Sequence, residues 1–265
     1  MASAIWSLKY INFLNDPLHF ISKMRVLILI AHSDTKGKSH AHQVAEASKQ
    51  ALTEAGHEVR VVDLVRCGFD KCLREEDFVK IHDKSRFNCY SEFRRNNQSK
   101  EIEEQCDNLD WATHVIACGP MWWLNFPAVF YAWMEKVLCA TAVRNPNSSY
   151  YDNGPNRGKK IMLCITTGSP NANFSHGSNL TSVDGIFYQT LAGLYAAGFS
   201  VMRSQPFFCA MGMSESEFGR VLKEWKKRVI EIDSREVLNF HRSGLNEQGL
   251  DGCQQICALQ NPLLD

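Results

Sequence analysis

Met24-Arg25-Val26-Leu27-Ile28-Leu29-Ile30-Ala31, running on into His32-Ser33-Asp34-Thr35-Lys36-Gly37-Lys38-Ser39, is the stretch on which the fold turns. Residues 25–31 are a continuous β-branched and leucine-rich run, the pattern of a strand buried on both faces of a parallel sheet. Beyond the loop, Val44, Ala47, Ala51, Leu52 and Ala55 recur at helical spacing, and Gly56 supplies the stop. A buried strand that opens through a polar loop into a helix is where α/β proteins bind phosphate. The first-turn N–H groups have no intrahelical partner there, and the helix dipole favours negative charge. Ser39 is placed to cap the helix and to donate to an anion, with Lys38 beside it. The loop is neither G-x-G-x-x-G nor a P-loop ending in G-K-S/T. Alone it is equally an ordinary connection, so the rest of the chain decides.

Working outward, strand and helix patterns alternate. Glu58 to Leu64 reads as a second strand, and Cys67 to Ser99 is a polar excursion too long for a simple loop. Glu101 to Asp110 is a polar helix and Thr113 to Cys118 a third strand. Pro127 sits in the first turn of a helix that turns Val129, Phe130, Trp133, Met134 and Val137 inward. Lys160 to Ile165 is a fourth strand, Ile186 to Ala197 a helix, Phe199 to Arg203 a fifth strand and Ser216 to Ile232 an amphipathic helix. This order predicts an α/β fold, a doubly wound five-stranded parallel sheet with helices on both faces and right-handed crossovers. The expected domain is 24–233, between an N-terminal arm (1–23) and a polar tail (234–265). Apolar positions 5, 8 and 11–14 give the arm a helical look, suited to packing on the body or on a second subunit.

Composition narrows the function. Twenty-nine basic residues balance 29 acidic ones, so no global field draws the chain to nucleic acid or to an anionic membrane. No segment offers the ~20 apolar residues of a membrane span, and residues 1–23 resemble neither a signal peptide nor a transit peptide. Of ten cysteines, Cys118, Cys139, Cys164 and Cys209 lie inside apolar patterns, where a thiol acts as a small hydrophobe. Reduced cysteines and a cytoplasmic location are expected. Cys253 and Cys257 have no partners at zinc spacing, so no metal site is expected.

In a doubly wound sheet the ligand lies beyond the carboxyl ends of the strands, at the switch point of strand order. Three strand ends carry unusual chemistry: His32 to Ser39, Pro120 to Asn125, and Thr166 to Gly177. Tandem tryptophans are commonly core residues. Met121-Trp122-Trp123-Leu124, however, follows a strand that ends in Gly119-Pro120, where residues leave the sheet and face the cleft. Thr166-Thr167-Gly168-Ser169 offers hydroxyls and amides for a polar ring edge. A cleft with one phosphate-like end and one aromatic end suits a flavin.

At these residues the chain resembles the flavodoxin-like NAD(P)H:quinone oxidoreductase family, the DT-diaphorase family. Ala31-His32-Ser33 is similar to its A-H-S turn. Gly119-Pro120-Met121-Trp122-Trp123, Pro127-Ala128 and Trp133-Met134-Glu135-Lys136-Val137 resemble its P-L-x-W-F-x-x-P-A and W-x-(E/D)-(R/K)-V stretches. Tyr151-Asp152-Asn153-Gly154-Pro155, Lys159-Lys160 and Ile165-Thr166-Thr167-Gly168 keep the family order Y-D-x-G-P, K-K, T-T-G. Glu224-Trp225-Lys226-Lys227-Arg228 is similar to its late helix, so the resemblance spans Met24 to Ile232.

The resemblance implies an FAD-containing homodimer, with FMN as the other candidate. It would take hydride from NADH or NADPH and pass it to a quinone or similar acceptor by a ping-pong cycle. It places the flavin on His32, Lys38, Ser39, Asn88, Pro120, Met121, Trp122, Trp123, Leu124, Thr166, Thr167, Gly168 and Ser169. His176 would stabilise charge on the reduced ring, a role that needs a donor. Phe174 stands where the family has an active-site tyrosine, and Asn145 and Asn147 lie where quinone-contacting tyrosines would be. The helix surface bearing Phe130, Tyr131 and Trp133 is the expected dimer face. An FMN-dependent azo- or nitroreductase shares the sheet, and a non-catalytic flavodoxin-like regulatory subunit shares everything except turnover.

Overall fold

The computed structural model describes residues 23–144, 149–175, 177, 178 and 180–240. The arm before Lys23, the tail beyond residue 240, and Asn145, Asn147 and His176 lie outside the described residues. Strands β1 (Arg25–Ile30), β2 (Glu58–Asp63), β3 (His114–Pro120), β4 (Lys160–Thr166) and β5 (Ser200–Val201) run parallel in the order β2-β1-β3-β4-β5. The chain passes outward from β1 to β2 and returns to β3 on the other side of β1. The switch point therefore falls between β1 and β3.

Strand side chains alternate between two cores, as the pleat dictates. Val26, Ile28, Ile116 and Met162 point to one face. There they meet helices α1 (His40–Glu54) and α8 (Glu215–Val229) through Val44, Leu52, Phe218 and Trp225. Trp225 Nε1 donates to Ser48 Oγ at 2.8 Å and ties those helices together. Leu27, Leu29, Val115 and Leu163 point to the other face, where α3 (Lys100–Trp111), α4 (Ala128–Trp133), the short α6 (Val183–Ile186) and α7 (Tyr188–Ala196) supply Ile102, Leu109, Phe130, Trp133, Val183 and Leu191.

The helix after β3 differs from expectation in two respects. Pro127 is its N-cap rather than a first-turn residue, and the run passes from α4 through a π-helical turn (Met134–Leu138) into α5 (Cys139–Arg144). Phe130 and Trp133 are fully buried in the chain's own core, stacked at 5.8 Å, and the Tyr131 hydroxyl is bonded to Thr190 Oγ1 at 2.8 Å. The face expected on a dimer surface is thus filled from within.

The long excursion carries a 3-10 turn (Glu75–Asp77) and α2 (Cys89–Arg94), and it closes with a bridge between Phe78 and Gln98. It is pinned to the π-helical turn by Lys136, whose buried Nζ lies 2.9 Å from Asp77 Oδ1.

The edge strand is longer than expected. A sixth strand, β6 (Gln205–Phe207), also pairs with β4, and the register moves from Lys160↔Ser200 to Cys164↔Gln205. One extra residue separates the two ladders, so β5 and β6 are one strand interrupted by a bulge. Pro206 within the run hides it from sequence, since proline is tolerated only at an edge or bulge. Residues 236–238 cover this edge, with Leu238 N donating to Val201 O and Arg203 N to Glu236 O. All eight described cysteines are free, and Cys118 and Cys164 face each other across β3 and β4. Among the described residues no helix is long and apolar enough to cross a membrane.

Candidate functional site

Three loops meet beyond the carboxyl ends of the central strands. Met121 N donates to Thr166 O at 2.8 Å, joining the loops after β3 and β4. The His32 ring lies 5.3 Å from that of Trp122, joining the loops after β1 and β3. Ala210 N donates to Thr167 O and Cys209 N to Ser169 O, so the segment after β6 buttresses the β4 loop. His32, Pro120, Met121, Trp122 and Thr166 are thereby gathered at the switch point.

The loop after β3 is a two-residue hairpin turn. Trp122 and Asn125 exchange both backbone hydrogen bonds at 2.9 Å, while Trp123 (φ 51°) and Leu124 (φ 60°) take the left-handed region that normally calls for Asn-Gly. Among the described residues the amides of Trp123 and Leu124 donate to nothing. The Trp123 side chain is 97% exposed. A strained turn with free donors and bare aromatic surface is a ligand clamp in form. It can hold a flat ring against its face while donating to that ring's polar edge.

On the β4 side, Thr166 and Thr167 are buried, Thr167 Oγ1 accepts from Ser169 N at 3.1 Å, and Gly168 N has no partner among the described residues. Phe174 is buried in the core with its ring centre 5.3 Å from that of Phe208. Asn88 caps α2, its Oδ1 accepting from Ser91 N. Its side chain is thus already engaged.

The β1 loop departs from the sequence reading. Ser39 caps α1 as expected. Three loop amides are taken by the chain itself: Asp34 Oδ1 accepts from Lys36 N at 2.8 Å, and Asp34 Oδ2 from Lys38 N at 2.7 Å and Ser39 N at 2.8 Å, while the first-turn amides of His40 and Ala41 have no partner among the described residues. These amides, Lys36 first, hold the Asp34 carboxyl below the usual carboxylate range. Asp34 N in turn donates to His32 Nδ1, and burial followed by the neighbouring His42 lowers the His32 pKa, so that nitrogen is a bare acceptor.

Beneath the loop lies a chain of polar groups that sequence reasoning missed. Ser39 Oγ is 2.7 Å from His42 Nδ1, His42 Nε2 is 3.2 Å from Asp63 Oδ2, and Arg66 Nε is 3.2 Å from the same oxygen. Arg66 also donates to Thr35 O at 2.6 Å. The signal was available: Asp63 ends the strand next to β1, and His42 lies one helical turn beyond the cap.

An open cleft at the carboxyl edge of a doubly wound sheet, with the switch point between β1 and β3, defines the flavodoxin-like class. Residues 24–231 match the family described as flavodoxin-like fold, and the chain belongs to it. It is 28% identical over 227 residues to NAD(P)H dehydrogenase [quinone] 1 of Rattus norvegicus, covering 83% of this chain and 82% of that one. It is 26% identical over 221 residues to the human ribosyldihydronicotinamide dehydrogenase [quinone], covering 81% and 94%. Among solved structures, a putative quinone reductase from Klebsiella pneumoniae superposes with a TM-score of 0.74 at 24% identity, over 84% of this chain and 90% of that one.

Proposed function

We propose that the chain is a flavin-dependent oxidoreductase that takes hydride from NADH or NADPH and passes it to a quinone, with FAD as the resident cofactor. The observation that carries this reading is the turn at Trp122 to Asn125, whose free amides and bare indole sit at the switch point where the family places its ligand. The names of the rat and human relatives support a quinone as acceptor and a dihydronicotinamide as donor.

The residues present fit a flavin ring. The amides of Trp123 and Leu124 would donate to its polar edge, Trp122, Trp123 and Leu124 would cover its face, and Gly168 N would approach from the opposite loop. When bound, a flavin supplies the hydride-accepting and hydride-donating chemistry, and the protein supplies orientation and electrostatics. Donors fixed before reaction stabilise developing negative charge without reorganising. His176, outside the described residues, is proposed as a further donor. Phe174, having no hydroxyl, excludes water rather than moving a proton. The reading extends to a cytoplasmic homodimer, on the family resemblance and on the eight free cysteines.

The test is anaerobic addition of NADPH to the flavin-loaded protein, followed by a small quinone, with the visible flavin band recorded throughout. Bleaching and then full recovery is expected. A bound flavin that neither NADH nor NADPH bleaches would replace this reading with the regulatory subunit.

A further inference from the structure

Away from the cleft, five aromatic rings form a continuous strip across α7 and the 3-10 turn (Tyr151–Asn153) before β4. Between ring centres, Tyr150 lies 6.5 Å from Tyr151, Tyr151 5.3 Å from Tyr195, Tyr195 4.9 Å from Phe240, and Phe240 6.1 Å from Tyr188. Tyr188 and Tyr195 are two helical turns apart and so share one face of α7. Tyr150 is 65% exposed, Tyr151 42% and Tyr188 40%. Single exposed aromatics need no explanation, but a joined run of them marks a surface that something covers.

The course of the chain says what that is. Leu238 N donates to Val201 O at 2.8 Å and Val237 is bridged to Met202, so the chain is led along the sheet edge and sets Phe240 on Tyr195, the two rings stacked at 15°. Residues 241–265 follow, and they carry Leu245, Leu250, Ile256, Leu259, Leu263 and Leu264. Tyr150, the far end of the strip, is three ring-to-ring steps from Phe240, a span of about five extended residues at ~3.3 Å each. Beside Phe240 a cavity of about 220 Å³ opens between Asp152, Arg157, Tyr195, Val201 and Leu238. Asp152 accepts from the Tyr195 hydroxyl at 3.3 Å, while Arg157 has no ion pair among the described residues. The tail brings Glu247, Asp251 and Asp265 against one arginine, Arg242. We propose that the strip is the docking surface of the chain's own residues 241–265, whose apolar side chains cover the rings and enter the cavity while a tail carboxylate meets Arg157. A second copy of the chain is the rival occupant. The tail has the advantage of being tethered inside the strip, at an effective concentration on the order of millimolar.

The experiment follows amide hydrogen exchange in the full chain at two protein concentrations about tenfold apart. Amides of residues 241–265 should exchange roughly tenfold or more slowly than in an unfolded peptide, and equally so at both concentrations. Tyr150→Ser combined with Tyr188→Ser removes two exposed rings from the full chain. It should return the tail toward free-peptide rates and leave the amides of β1 and β3 as they were. A chain ending at Phe240 supplies a second readout: tetranitromethane should nitrate Tyr150 and Tyr151 several-fold faster in it than in the full chain. Should that shorter chain fail to fold, the double variant in the full chain decides alone. Tail amides that exchange at free-peptide rates would overturn the proposal, and so would protection that survives the double variant, because the tail would then rest elsewhere. Protection of the strip that grows with protein concentration would hand the surface to a second copy and overturn it too.

Discussion

Replacing Trp123 by glycine should stabilise the apoprotein while weakening its hold on a flavin. Trp123 lies at φ 51° with its side chain 97% exposed, so its removal forfeits almost no buried surface. A left-handed conformation costs a non-glycine residue roughly 1–2 kcal/mol. Glycine surrenders about 0.5–1 kcal/mol of that advantage through the greater freedom of the unfolded chain. The net gain is about 0.5–1 kcal/mol. For a chain of this size 1 kcal/mol moves Tm by about 2–4 °C, so Tm should rise by about 1–4 °C. Thermal unfolding of the apoprotein by circular dichroism reads the first effect, and an FAD titration followed by flavin fluorescence reads the second. A lower Tm would refute the argument that the turn stores strain. A higher Tm with unchanged FAD affinity would refute the claim that the strain holds an aromatic wall for the ligand.

The other expectations follow from packing and protonation. Lys136→Met should cost about 3 kcal/mol in urea unfolding, because it strands the mostly buried Asp77 carboxylate without its partner, and adding Asp77→Asn should recover part of that loss. Gly154→Ala should cost about 3 kcal/mol and lower expression: a Cβ there would sit 2.6 Å from Gly198 Cα, and backbone on both sides leaves nothing to move. Burial lowers the pKa of His57 and of His114, the latter against the opposing pull of Asp233. A histidine whose folded pKa lies below its unfolded value binds more protons when unfolded, so it costs stability as pH falls through about 6.5. The urea midpoint should therefore drop between about pH 7.5 and pH 5.5, and His57→Gln should shallow that drop.

What was legible in the sequence was what depends on runs and punctuation. The uninterrupted apolar run into β1 placed the sheet, and the strand ending in Gly119-Pro120 put the two tryptophans at the carboxyl end of β3. The excursion was read as too long for a simple loop, and it holds α2. What escaped depends on pairing. Pro206 reads as a breaker, yet it sits in an edge strand beyond a one-residue bulge, where its missing N–H costs nothing. An aspartate in a polar loop reads identically whether it faces solvent or folds back onto its own amides, as Asp34 does. His42 and Asp63 are 21 positions apart, and only the β2-β1 adjacency brings them together. The Tyr151 to Pro155 match carried only resemblance, and its glycine proves to be a joint where two backbones touch.

The two ends of the cleft are built on opposite principles. At the aromatic end, Trp123 and Leu124 are kept in a costly conformation by β3, which is paired on both sides, by Met121 N on Thr166 O, and by the His32 ring against Trp122. Their amides remain free because the scaffold, not a hydrogen bond, holds them. At the other end Asp34 takes the amides of Lys36, Lys38 and Ser39, while those of His40 and Ala41 in the first turn of α1 have no partner among the described residues. A loop so braced keeps its shape without a ligand, and the first-turn amides are left to an arriving anion. Ring contacts should add to affinity without displacing any bond of the protein. Loss of the clamp should accordingly lower affinity for FAD and riboflavin alike, since the two share the ring that the turn would cover.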